Sequence, residues 1–120
     1  MTTRVLIVED EPVLASGIRR LLLLHGFEIA GCVGSVKMGL TLVEEADCDI
    51  ALLDVNLRGE SVLPVAEALR QRGRPFVLMS GYDRSDLPAA FVDVPFLAKP
   101  FDPNALVAVL RQIVERSDAA

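Results

Sequence analysis

The sequence predicts an α/β domain: a doubly wound, five-stranded parallel sheet with helices on both faces. Apolar runs of strand length alternate five times with segments that read as helices, the pattern of repeated strand–helix–strand units. The runs Val5–Val8 and Ile50–Leu53 are apolar at every position, which suits strands covered on both faces. Right-handed crossovers then place helices above and below the sheet. The 120 residues, 52% hydrophobic and 24% charged, are enough for one domain with its own core and exclude a disordered chain. No apolar run approaches the ~20 residues that span a bilayer, and the N-terminus lacks a signal-peptide pattern. A cytoplasmic protein with no membrane partner is therefore expected. The net charge of −5 argues against direct binding of nucleic acid, which depends on neutralising phosphates. Cys32 and Cys48 have no metal-ligand spacing and read as small buried hydrophobes.

Each element has its own signals. The first strand, Arg4–Val8, stops abruptly at Glu9-Asp10-Glu11. Pro12 opens the first helix, where a missing N–H removes no intrahelical bond. Leu14, Ile18, Leu21 and Leu22 form its stripe, His25 meets the dipole in the last turn, and Gly26 ends it. Phe27–Val33 is a weaker strand near a sheet edge, and Ser35 caps a second helix that runs to about Ala46. The third strand ends on Asp54, after which the pattern breaks into Asn56, Arg58, Gly59 and Glu60. A carboxylate at the end of a buried strand is costly unless a cation or a donor answers it. Ser61 is expected to cap the third helix, with Pro64 in its first turn and Gly73 at its end. Pro75–Met79 is the fourth strand and closes on Ser80-Gly81-Tyr82. The segment 83–94 contains Pro88 and no stripe, so any helix there is short and marginal. Phe96–Ala98 is the fifth strand, leading to Lys99-Pro100. Asp102 caps the last helix, Pro103 opens it, and Leu106, Val107, Leu110, Ile113 and Val114 are its buried stripe.

In such sheets, function sits at the carboxyl ends of the strands. Four strands deliver a polar group to that edge: Glu9 and Asp10, then Asp54, Ser80 and Lys99. Three acids in one crevice repel one another, and a hard divalent cation such as Mg²⁺ resolves the conflict through oxygen ligands. Asp10 and Asp54 would supply carboxylates and Glu9 would act through water. Asp54 could then attack a phosphoryl group, as carboxylates do in aspartyl-phosphate chemistry. Mg²⁺ would clamp one phosphoryl oxygen, Lys99 would meet a second as a point charge, and the Ser80 hydroxyl with a loop N–H would bond the third.

The motifs Val-Glu-Asp-Glu (8–11), Leu-Leu-Asp-Val-Asn (52–56), Met-Ser-Gly (79–81) and Lys-Pro-Phe (99–101) resemble those of the receiver domain of two-component response regulators. The resemblance covers essentially the whole chain and implies the flavodoxin-like strand order 2-1-3-4-5. It implies Asp54 as phosphoacceptor, and Asp10, Asp54 and the Asn56 backbone carbonyl as Mg²⁺ ligands. Ser80 and Lys99 become phosphoryl contacts, and Lys99-Pro100 a candidate cis bond. The domain would promote only its own phosphorylation and dephosphorylation, taking phosphate from a sensor histidine kinase or a histidine phosphotransfer protein and acting on a downstream protein target. A monomer or weak homodimer without an output domain is expected.

The departures from the family pattern matter too. Arg58 and Val62 stand where receivers commonly carry proline and glycine, and Gly81 where alanine is usual. Phe76–Tyr82 is similar to a variant group, best known from alphaproteobacteria, with a Phe-Ala-Thr-Gly signature. Phe96 stands where many receivers have a switch tyrosine, so coupling through a hydroxyl is lost there. Ser80, Tyr82 and Phe96 are the expected switch residues, with Tyr82 either moving or merely covering the pocket. Tyr82 and Phe96 are expected to repack the face that strands four and five share with the final helix. Leu23, among Arg19 and Arg20 on the polar face of the first helix, suits partner docking, although a single exposed leucine is common. The competing readings are a haloacid-dehalogenase-like phosphatase, which Asn56 disfavours because a second aspartate is usual there, and an interaction module that works without phosphorylation.

Overall fold

A computed structural model describes residues 2–81, 85 and 87–119, with side chains to residue 116. Five strands, β1 (Arg4–Val8), β2 (Glu28–Val33), β3 (Ile50–Asp54), β4 (Phe76–Ser80) and β5 (Phe96–Ala98), form one sheet. All neighbours run parallel in the order β2-β1-β3-β4-β5, as expected. Four α-helices connect or follow the strands: α1 (Pro12–Leu24), α2 (Val36–Glu45), α3 (Leu63–Gln71) and α4 (Pro103–Ala119).

Strand parity divides the core in two. Val5, Ile7, Ile50, Leu52, Val77 and Met79 pack with Ile18 and Leu22 of α1 and with Leu106, Val107, Leu110 and Ile113 of α4. Their alternates Leu6, Val8, Ala51, Leu53, Phe76 and Leu78 pack with Val43 of α2 and Val65, Ala66 and Leu69 of α3. Residues 5–8 and 50–53 are fully buried, which accounts for their unbroken apolar character. Strand β2 lies at the edge, and its Cys32 is exposed rather than buried, because an edge strand is only partly covered.

Most caps follow the sequence. Ser35 Oγ accepts the Met38 N–H at 3.1 Å, and Asp102 Oδ1 accepts the Asn104 N–H at 2.8 Å. At α3 the N-cap position is Val62, and Ser61 just before it still supplies the side-chain bond, its Oγ accepting the Leu63 N–H at 3.2 Å. Ser61 also pairs with Asn56 in a two-residue hairpin ladder, Asn56–Leu57 against Glu60–Ser61. The hairpin loop is Arg58-Gly59, with φ of 51° and 88°, the type I′ geometry that matches strand twist. Between β4 and β5 the described residues include a 3₁₀ turn, Ala89–Phe91, in line with the marginal helix expected there. Among the described residues, no helix is long and apolar enough to cross a membrane.

Arg58 occupies a left-handed conformation, φ 51°, in which its Cβ crowds the following carbonyl oxygen and which asparagine tolerates better. Arg58→Asn should therefore raise unfolding stability by up to ~1 kcal/mol. Urea unfolding of the two proteins measures this, and an unchanged or lower midpoint would contradict the assignment of strain to this turn.

Candidate functional site

The parity that sorts the core also aims the polar residues. Positions 5 and 7 face α1 and α4, and so does Glu9. Positions 50 and 52 lead likewise to Asp54, and Leu97 to Lys99. These side chains meet. Lys99 Nζ lies 2.6 Å from Glu9 Oε1 and 3.3 Å from Asp54 Oδ2. Glu9, Asp10 and Asp54 each place a carboxylate oxygen within 4.8 Å of the others, the oxygen-donor set that suits a hard cation. Asp54 is only 6% exposed and Glu9 3%.

Backbone groups complete the crevice. Both Glu9 oxygens are engaged, Oε1 by Lys99 and Oε2 by the Asp10 N–H at 3.1 Å. The Asn56 N–H points at Asp54 Oδ1 at 3.4 Å, and Asn56 Oδ1 accepts the Gly59 N–H at 2.9 Å. The Lys99 N–H donates to the Ser80 carbonyl at 2.8 Å, fixing the ends of β4 and β5 together, and the Lys99-Pro100 bond is cis. Gly34 passes so close that a Cβ there would sit 3.3 Å from the Asp10 Cα. One contact was not foreseen from the sequence: Arg58 Nε stands 3.6 Å from Asp10 Oδ2, from a largely exposed position.

Electrostatics reflect three carboxylates facing one ammonium. Burial pushes the Glu9 carboxyl up to about 7, a hydrogen bond with Asp54 and the Asp54 charge push the same way, and Lys99 opposes them in part. Burial draws the Lys99 ammonium down, but its hydrogen bond to Glu9 and the charges of Asp54 and Glu9 prevail and hold it above its usual value.

The remaining expected residues are less uniform. Ser80 is buried at the end of β4. Phe96 packs into the cluster with Phe76, Leu78 and Phe91, on the α2/α3 side of the sheet. It therefore faces away from the final helix, and Leu97 takes the place beside α4, because alternate residues of β5 point to opposite faces. Tyr82 lies outside the described residues. Arg19, Arg20 and Leu23 are exposed, Leu23 at 51%, yet Val13 at 86% and Leu24 at 78% are more so. At helical spacing, Val13, Gly17 and Leu24 share one face. A groove of about 490 Å³ between Val13, Leu14, Gly17, Pro100 and Phe101 reaches Lys99 at the crevice.

Comparison with known proteins agrees with this geometry. The chain matches the response regulator receiver domain over residues 5–111, and it belongs to that family. It is 32% identical over 114 residues to the nitrate/nitrite response regulator protein NarP of Escherichia coli, covering 90% of this chain and 53% of that protein. It is 34% identical over 118 residues to the sensory transduction protein RegX3 of Mycolicibacterium smegmatis, covering 95% and 51%. The chain thus spans about half the length of these curated relatives. Among solved structures, it superposes on SdrG from Sphingomonas melonis with a TM-score of 0.82 at 39% identity, covering 94% of this chain and 97% of that one. For the response regulator PhyR from Brucella abortus the TM-score is 0.84 at 25% identity, covering 99% and 50%. The domain is thus a receiver of two-component response regulators, the class of signalling module expected from its strand-end motifs.

Glu9 makes the site pH-sensitive without metal. Its folded pKa, about 7, lies above the ordinary 4.5, so its contribution to stability is present below 4.5 and is lost as pH rises through about 7. In the presence of a chelator, the stability of wild type relative to Glu9→Gln should decline between about pH 5 and about pH 8. Added Mg²⁺ should recover most of that loss at the upper end. Thermal unfolding of both proteins checks this, and parallel pH profiles would remove Glu9 as the source.

Proposed function

We propose that Asp54 accepts a phosphoryl group with the help of Mg²⁺, and that the phosphorylated form alters binding to a downstream protein target. The observation that carries this reading is the Lys99 ammonium held against both Glu9 and Asp54 in a crevice where three carboxylates converge. Asp10 and Asp54 would hold Mg²⁺ directly, and Glu9, with both oxygens engaged, would act through water. The Asn56 carbonyl is the third candidate ligand. In the hairpin ladder Val62 N–H bonds the Val55 carbonyl, so by alternation the Asn56 groups point away from the partner strand, and the Asn56 N–H faces Asp54. Bound Mg²⁺ would neutralise charge on the transferring phosphoryl group. Lys99 would hold one of its oxygens, and Ser80 with a loop N–H another.

The donor in this reading is a sensor histidine kinase or a histidine phosphotransfer protein. Its approach fits the groove from Val13 to Phe101, which opens beside Lys99, with Arg19, Arg20 and Leu23 on the adjoining face of α1. We also propose that the domain belongs to the Phe-Ala-Thr-Gly variant group and works as a monomer or weak homodimer in the cytoplasm. The similarity to the alphaproteobacterial-type receivers is carried by Phe76–Tyr82, and the 39% identity to SdrG is in keeping with it.

Incubation with acetyl phosphate and Mg²⁺ should add one phosphoryl group to the intact mass of the wild type and none to Asp54→Asn. Lys99→Gln should slow the reaction by about 100-fold while leaving Mg²⁺ binding measurable. Equal labelling of Asp54→Asn would place the acceptor elsewhere. The switch is tested separately by amide exchange across residues 81–96 with and without beryllofluoride. Faster or slower exchange there is the expected outcome, and identical exchange would end the proposal that Ser80, Tyr82 and Phe96 transmit the change.

A further inference from the structure

We propose that a groove at the amino-terminal edge of β4 and β5 docks an acidic peptide segment of a partner protein, with carboxylates flanking an apolar anchor. The groove lies at the sheet edge opposite Asp54, where Pro75 and Phe76 enter β4 and Val94 and Pro95 lead into β5. Its volume is about 370 Å³. Phe76, Val94 and Pro95 make an apolar floor, and Arg70 and Arg74 supply the charge.

The two arginines are available in different ways. Arg70 is already ordered: its Nη2 donates to the Ala90 carbonyl at 3.0 Å, and its guanidinium carbon sits 4.6 Å from the Phe91 ring centre and 5.9 Å from that of Phe76. A guanidinium carries five N–H donors in a fixed fork, so one held in place by stacking can take a carboxylate with little further loss of side-chain freedom. Arg74 pairs with Asp47 at 3.4 Å, but Asp47 is 85% exposed, and such a surface pair is weak enough for another carboxylate to displace it.

Charge selects the occupant. Residues 70–74 hold three of the 12 basic residues of a chain whose net charge is −5, and among the described residues no acid lines the groove. That contrast favours a negative segment, and the apolar floor favours a hydrophobic side chain within it. A nucleic acid fits less well, since it needs a longer row of cations. The neighbouring surface carries Glu44, Glu45 and Asp47, which would repel a continuing phosphate backbone along its length and a short acidic segment only at its end near Arg74.

The test is a titration of the ¹⁵N-labelled full chain with a synthetic peptide, Gly-Ser-Asp-Glu-Phe-Asp-Glu-Ser-Gly, and with the same peptide carrying lysine at each acidic position. Saturable shifts confined to amides of residues 70–76 and 94–97 are expected with the acidic peptide and not with the basic one. Arg74→Gln should weaken binding about tenfold, the effect of losing one charge-assisted hydrogen bond, with the rest of the spectrum unchanged. Absent shifts at millimolar peptide, shifts confined to α1, or equal affinity in Arg74→Gln would overturn the proposal. So would tighter binding of a single-stranded oligonucleotide to the same amides.

Discussion

Three carboxylates share one end of the sheet with a single ammonium, and much of the molecule is arranged to keep them there. At separations below 4.8 Å, each carboxylate pair is repelled by on the order of 3 kcal/mol at an effective dielectric constant near 20. In an exposed loop the side chains would swing apart. Here Glu9 and Asp54 follow directly from strands whose residues 5–8 and 50–53 are wholly buried, so separating the acids would mean moving core strands. Lys99 neutralises part of the charge, and the Glu9 pKa is raised first by burial and then by Asp54. A crevice with surplus negative charge on a rigid frame suits a cation. Arg58, reaching Asp10 from a loose and exposed position, is the kind of weak partner that a divalent ion would displace.

The same frame explains why distant segments contribute one residue each. In a parallel sheet all strands end at one edge, so β1, β3 and β5 deliver Glu9, Asp54 and Lys99 together although 90 positions separate the first and last. Parity then chooses the side. Because odd positions of β1 and β5 and even positions of β3 face α1 and α4, the three side chains converge without any special loop conformation. A one-residue slip of β3 would turn Asp54 to the other face and break the site while leaving most apolar burial possible.

The sequence made the five strands and the acidic crevice legible because both rest on strong local signals: unbroken apolar runs and polar residues placed just past them. The strand order came from the family resemblance instead. Three features escaped it, each for a physical reason. The Arg58-Gly59 hairpin lacks the Asn-Gly or Asp-Gly pair that marks a type I′ turn, so the ladder that Ser61 joins ahead of α3 was not expected. The orientation of Phe96 depends on the register of β5, which a three-residue strand does not specify by pattern. The exposure of Cys32 follows from its place on the edge strand, since small residues pack equally well in a core or on a partly covered strand.

Phe96, on the α2/α3 side of the sheet, has no hydroxyl, so its side chain offers no hydrogen bond to Ser80. The contacts on that side are modest ones. Phe76 and Phe91 meet at 6.3 Å between ring centres, and the Arg70 guanidinium covers both rings. Aromatic and cation–π contacts of this kind contribute roughly 0.5–1.5 kcal/mol each. The core beneath them is held by fully buried leucines, each worth ~2 kcal/mol or more. An event worth a few kcal/mol is large enough to shift contacts of this size without disturbing the sheet. The Lys99 N–H to Ser80 carbonyl bond joins that event to the strands at its source, since any shift of the Ser80 backbone must be accommodated by β5 and by the Phe96 it carries.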